Sequence, residues 1–223
     1  MEYGAFTSYD LVLLAEGLGV SVLLFLATFA IGLVLALVLA TIRFYRVPLV
    51  VPVITMITEL LKNSPVLVQL FLVFFGLPMF AQINVTPVAA ATITLSLNTA
   101  AFIYVIAVAA IDATGREQIE TARVFGLSNW QILRKIVATP ASAFAIGPLV
   151  GLAVNQLQVT SLVSAIGVID LTKVGNILNL RTLEPFIVWT VVGILYFLCS
   201  KAIARLGGRL ETRLRAHSAW KGL

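Results

Sequence analysis

Residues 17–42 contain no charged side chain, a run of 26. That exceeds the roughly 20 residues an α-helix needs to cross about 30 Å of hydrocarbon. The run is therefore a membrane span, and it recurs. Residues 63–111 form an uncharged run of 49, which Gly76, Pro78, Asn84 and Pro87 divide into two spans around a turn. The first of these begins back near Val47 and reads as a long or broken helix through Pro52 and Pro65. Residues 136–169 give 34 more, interrupted by Pro140, Pro148 and Gly151, and residues 185–200 open a last span. The pattern predicts an all-α integral membrane protein with five transmembrane helices, folded as one domain over residues 1–223.

Composition excludes the alternatives. The chain is 60% hydrophobic and 11% charged, against about 45–50% and about 25% in soluble domains. It lacks the polar surface of a cytosolic enzyme, a disordered tail or a nucleic-acid-binding module. The pI near 9.7 says little about nucleic acid, because the charges lie between apolar runs and not in a basic stripe. Cys199 and His217 are single, so neither a disulfide nor a zinc site can be built from them. No basic residue precedes Arg43, so the first apolar run lacks the n-region of a cleaved signal peptide and is expected to remain as an anchor.

Basic residues set the orientation. Twelve of the fifteen Lys and Arg fall after the first span, between the third and fourth, or after the fifth; Lys173 and Arg181 lie on the other side and Lys62 within the second run. By the positive-inside rule the N-terminus is outside and the C-terminus cytoplasmic. Glu59 and Lys62 are spaced for an i, i+3 ion pair inside an apolar element. An ionisable group at that depth costs a few kcal/mol unless paired or wet. An interhelical pair, a snorkelling lysine and a substrate contact all remain open for them.

The one long polar stretch within the chain, residues 112–135, reads as two short helices. Thr114 and Glu117 have capping-box spacing, as do Ser128 and Gln131. A helix over 116–125 would end at Gly126, which fits a C′ position with positive φ, and a second helix would run through Arg134 and Lys135 into the membrane. The loop could lie on the bilayer surface. Its short apolar face and the charge of Glu120 suit docking on a soluble protein better.

Three segments carry a resemblance. Glu120-Thr121-Ala122, then Gly126 and Pro140, resembles the EAA loop of ATP-binding-cassette importer permeases. Glu59, Lys62, Asn63, Ser64 and Pro65 with the following Val66 to Leu70 resemble that family's second-span signature. Thr160-Ser161-Leu162-Val163-Ser164 resembles a segment of the polar-amino-acid subfamily, the histidine, glutamine and glutamate type. The likeness covers roughly residues 17–211. It implies a methionine-importer-like (type I) permease fold in a bacterial plasma (inner) membrane, with no catalytic chemistry, metal or cofactor in this chain. It further implies ATPase subunits that hold ATP and Mg, an extracytoplasmic solute-binding protein, a second permease and no nucleic-acid partner. Glu120, Ala122, Arg123 and Gly126 would then form the coupling element that meets the ATPase.

The chain departs from the subfamily where its charged pathway residues would fall. By alignment through Thr160-Ser161-Leu162, a common Lys-Asp pair falls on Gln158 and Val159, a Glu and an Arg on Val105 and Val108, and a Tyr on Phe102. That favours a non-identical partner permease over a homodimer. The remaining polar cluster, Asn155 to Ser164, gives Gln158, Thr160 and Ser161 as candidate pathway residues. On a straight helix Asn155 would lie roughly 35 Å from Gln131, at the outer interface, unless Pro140, Pro148 and Gly151 bend the path. Asn98 is a further pathway candidate, with an interhelical hydrogen bond as its alternative.

Two other classes compete with this reading. A structural or assembly protein would use the knob only for docking. A secondary transporter would carry internal repeats and intramembrane carboxylates, and neither is evident in the sequence.

Overall fold

The computed structural model describes residues 6–220, apart from the side chains of Arg116 and residues 215–220. Met1, Glu2, Tyr3 and Lys221 thus lie outside the described residues, as do the side chains of Arg116, Arg215 and His217. The helices are α1 (Ser8–Phe44), α2 (Val50–Lys62), α3 (Val66–Phe71), α4 (Leu77–Ala81) and α5 (Pro87–Asp112), followed by α6 (Arg116–Val124), α7 (Asn129–Ile132), α8 (Ala138–Val159), α9 (Leu171–Thr182) and α10 (Pro185–Trp220). Among the described residues, four stretches are long and apolar enough to cross a membrane: Ser8–Phe44, Pro87–Asp112, Asn129–Ile166 and Pro185–Leu214. The fifth span is a broken pair, Val50–Lys62 and Val66–Ala81, bent by 106° at Asn63-Ser64-Pro65.

Prolines account for most of the irregular backbone. A proline offers no N–H to the carbonyl four residues back, and its ring crowds that carbonyl. Pro78 and Pro140 would crowd Phe74 and Ile136, and a π-helical turn sits over each, at Leu72–Gly76 and Leu133–Val137. The wider turn relieves the clash without ending the helix. Pro148 is carried inside α8 with no such turn. The path from Asn129 to Ile166 is therefore continuous, ending in a 3-10 segment, Thr160–Ile166.

α5 is the centre of the bundle, packed against α1, α2, α3 and α8. Its buried face is rich in small side chains: Ala90, Ala91, Thr94, Ser96, Thr99, Ala100 and Ala101. α1 meets it with a stripe that recurs every three or four residues through Ser21, Leu24, Thr28, Gly32, Ala36 and Ala40. Between helices in lipid there is little hydrophobic gain, so close van der Waals approach has to hold them. The contact is tight at Gly32, where a Cβ would lie 2.8 Å from the Cβ of Thr99. α1 uses the same device against α9: a Cβ at Gly17 would lie 3.1 Å from the Asp170 carbonyl.

Polar ties close the end predicted to be outside. Asp10, fully buried, accepts from the Thr7 amide at 2.8 Å and pairs with Arg181 at the end of α9. The amides that open α9 are served by neighbours: Leu171 N donates to Ser21 Oγ at 3.2 Å and Lys173 N to Asp170 Oδ1 at 2.9 Å. One of the two basic residues on this side therefore has a structural partner.

Gly32→Leu should force α1 from α5 and lower stability by about 1–3 kcal/mol, the usual cost of overpacking. Gly19→Leu, at an exposed position where an added Cβ meets nothing within 4 Å, should leave stability unchanged or gain up to about 1 kcal/mol of helix propensity. Thermal unfolding of the purified protein in detergent separates the two; equal losses would contradict the packing described.

Candidate functional site: a docking knob and a polar cleft

The knob is built from α6, α7 and the turn between them. α6 closes on Gly126, whose φ of +79° puts it in the left-handed region. Gly126 N donates to the Arg123 carbonyl at 2.9 Å and Leu127 N to the Ala122 carbonyl at 3.1 Å. This is the paired bonding of a Schellman turn, with Leu127 packed beside Ala122. α7 opens with the Ser128 box: Ser128 Oγ accepts from Gln131 N at 3.3 Å, and Gln131 Oε1 accepts from Ser128 N at 2.9 Å.

The Thr114 box does not form. The helix starts at Arg116 as expected, but its N-cap is Gly115 and not Thr114, with no side-chain cap bond. Thr114 is buried, and its hydroxyl has no hydrogen-bond partner among the described residues. Packing of the threonine into the bundle has overridden the capping pattern.

The four expected coupling residues divide by burial. Glu120, Arg123 and Gly126 are exposed, but Ala122 is buried with Ile132 and Val137. Phe44, Ile111, Ile119, Leu127 and Ala141 pack around that group, so the knob is seated on the ends of α1, α5 and α8 together. Its free surface carries Val124 at 87%, Phe125 at 80% and Trp130 at 57% exposure. Beside it an open cleft of about 540 Å³ is lined by Glu117, Gln118, Thr121, Ala122, Phe125, Leu127 and Ile136. Sequence reasoning read Phe125 as part of the short apolar face and gave Val124 and Trp130 no such role, although consecutive Val124 and Phe125 just before a helix-ending glycine are legible as a hydrophobic tip.

The four expected pathway residues divide as well. Asn98 is buried; its Nδ2 donates to the Leu61 carbonyl at 3.3 Å and to Gln69 Oε1 at 3.4 Å. Gln69, which sequence reasoning passed over, donates to the Leu61 carbonyl at 2.6 Å and to the Ser64 carbonyl at 3.1 Å. Both amides serve the carbonyls that the break after α2 leaves open. Thr160 is fully buried and donates to the Leu157 carbonyl at 2.6 Å.

Gln158 and Ser161 instead share a cleft of about 310 Å³ with Gly193, Tyr196, Phe197 and Ser200 of α10. Ser200 Oγ is buried without a partner among the described residues. Tyr196 Oη lies 3.1 Å from Thr172 Oγ1 and 3.4 Å from Asp170 Oδ2, which links the cleft to the start of α9. On α10 the cleft lies inside the helix: Gly193 is about 12 Å and Ser200 about 22 Å along it from Pro185. Gln156, on the same turn of α8, reaches the Leu95 carbonyl, eight residues into α5, at 3.4 Å.

Residues 10–216 match the family described as the inner membrane component of binding-protein-dependent transport systems. The chain belongs to that family. This family member is 28% identical over 207 residues to the glutamine transport system permease protein of Escherichia coli strain K12, covering 91% of this chain and 93% of that protein. It is 31% identical over 172 residues to an L-cystine transport system permease protein of Bacillus subtilis strain 168, covering 74% and 72%. Its structure superposes on that of an amino acid ABC transporter crystallised with histidines, with a TM-score of 0.82, 25% identity and coverage of 94% of this chain and 100% of that one. The methionine ABC transporter in an inward-facing form gives 0.79 at 17% identity over 94% and 99%. The fold is thus that of a type I importer permease, a multi-pass membrane subunit and not an enzyme; ATPase activity belongs to separate subunits of such systems.

Gly126→Val should strain the left-handed turn by about 1–2 kcal/mol and loosen the knob. Faster amide exchange across residues 116–127, with the spans unaffected, is the expected readout; unchanged exchange there would show that the turn does not hold the knob.

Proposed function

We propose that this chain is a permease subunit of a bacterial plasma-membrane importer for a polar amino acid, with residues 1–223 as one transmembrane domain and 112–135 as its coupling element. ATP and Mg are held by partner ATPase subunits, and an extracytoplasmic binding protein delivers the solute. The observation that carries the reading is the knob. A closed helix end presents Val124, Phe125 and Trp130 to solvent beside exposed Glu120 and Arg123, while buried Ala122 ties the same element to three spans. A surface patch of that kind fits an apolar groove with a polar rim on a soluble partner. Movement of the partner is then passed to α1, α5 and α8 as a rigid body.

The Gln158, Ser161, Tyr196 and Ser200 cleft offers hydroxyl and amide groups but no charge, which suits hydrogen bonding to an uncharged polar side chain. Phe102 and Val105 are exposed on α5, at positions where the resembling subfamily carries polar or charged residues. Recognition of a charged solute would then fall to a second, non-identical permease. A single permease species in the purified transporter would contradict that pairing.

Glu120→Lys and Phe125→Asp should each abolish ATP-driven uptake of labelled amino acids and the co-purification of the ATPase, with the permease still inserted. A merely structural membrane protein would show no uptake to lose. A gradient-driven transporter would continue after ATP depletion and stop with an ionophore. Ser200→Val should reduce uptake about tenfold while ATPase co-purification persists, the scale of a lost hydrogen bond of about 1–1.5 kcal/mol.

A further inference from the structure

The break between α2 and α3 holds an ion pair in an unusual place. Lys62 Nζ lies 2.8 Å from Glu59 Oε1, and Asn63 Nδ2 donates to Glu59 Oε2 at 2.9 Å. The break is located by its contact with α5. The Leu61 carbonyl meets Asn98, which is about 16 Å from one end of α5 and about 21 Å from the other. The pair is therefore close to the middle of the hydrocarbon, yet its side chains are 26% and 50% exposed.

Charges exposed to lipid at that depth are costly, so such residues face water or protein. The pattern on α2 agrees. At about 100° per residue, Thr55, Glu59 and Lys62 fall in one polar sector. Buried Ile54 and Thr58 flank it on one side, and exposed Met56 and Leu60 on the other. One edge of the helix packs on α5, one suits lipid, and the strip between them suits water or protein. Gln69 and Asn98 both donate to the open Leu61 carbonyl of α2, a bond to the bend that the ion pair does not supply.

We propose that this break is a head-group site for a zwitterionic amino acid, in which Glu59 takes the α-ammonium and Lys62 the α-carboxylate. The inference rests on the amino-acid reading above. The exchange keeps the site neutral: the Glu59–Lys62 contact opens, and each charge finds its opposite on the solute. An empty site closes on itself, which lowers the cost of leaving two charges at depth between turnovers. The side-chain groups of the solute are left to other surfaces.

The test is uptake of a ¹⁴C-labelled amino-acid mixture by proteoliposomes holding the complete transporter and its binding protein, expressed per assembled complex. If wild type takes up no labelled amino acid, the amino-acid reading itself fails. Given wild-type uptake, Glu59→Gln and Lys62→Met should each reduce it about tenfold or more, the scale of losing a hydrogen bond to a charged group. The swap Glu59→Lys with Lys62→Glu restores an ion pair but reverses the head-group polarity, and should stay defective. Near wild-type uptake by either single variant, or by the swap, would overturn the proposal. A second measurement does not depend on those variants folding. In a Cys199→Ser background, Asn63→Cys should react with a charged, water-soluble methanethiosulfonate, and the amino-acid mixture should protect it. Absence of labelling, or labelling without protection, would overturn the site.

Discussion

A carbonyl left open in hydrocarbon has no water to turn to, and this requirement governs where the chain can depart from a straight helix. The 106° break after α2 exists because two side-chain amides, Gln69 and Asn98, converge on the Leu61 carbonyl from different helices. The amides opening α9 are met by Ser21 and Asp170. Where no partner is at hand, as over Phe74 and Ile136, the helix widens into a π turn and goes on. The break after α2, the start of α9 and the two proline-linked π turns are each met by one of these devices. The close packing of α1 on α5 supplies the rigid frame on which they act.

Much of this is legible in the sequence, and for a physical reason. Uncharged runs of 26, 49 and 34 residues have few fates, so the number of spans follows from length, and Pro65 marks the break though not its angle. The Ser128 box and the Gly126 turn depend only on local bonding, so spacing predicts them. The Thr114 box fails because burial of its side chain, a tertiary event, competes with capping. Asn98 and Thr160 are readable as intramembrane polar groups. Their bonds to backbone carbonyls are not, since chain geometry decides which carbonyls come within reach. Tyr196 and Ser200 escape notice because they sit 35 or more residues along the chain from Gln158 and Ser161 and join them only in the folded bundle. A straight α8 is one of the two paths that its prolines and glycine allow. Its end nevertheless lies beside Gly193, Tyr196 and Ser200, well inside α10.

Function follows from how these parts are joined. The knob is seated on α1, α5 and α8 through Ala122, Ile132 and Val137, so force applied at Phe125 reaches three spans at once. α8 carries Gln158, and α10, packed along α8, carries Tyr196 and Ser200. In the proposed function, a displacement at the knob reaches the polar cleft along α8, through the π turn at Leu133–Val137. Tyr196 extends the link to Asp170 and the outer helix α9. A permease of this kind does no chemistry; its work is to turn a push at one face into access at the other.

The most direct test is to place a photo-reactive benzoylphenylalanine at position 125 and irradiate cells expressing the complete transporter, then identify what it captures by mass spectrometry. A cross-link to an ATPase subunit is the predicted result. Capture of lipid alone would show that the knob lies on the bilayer surface and would contradict the account.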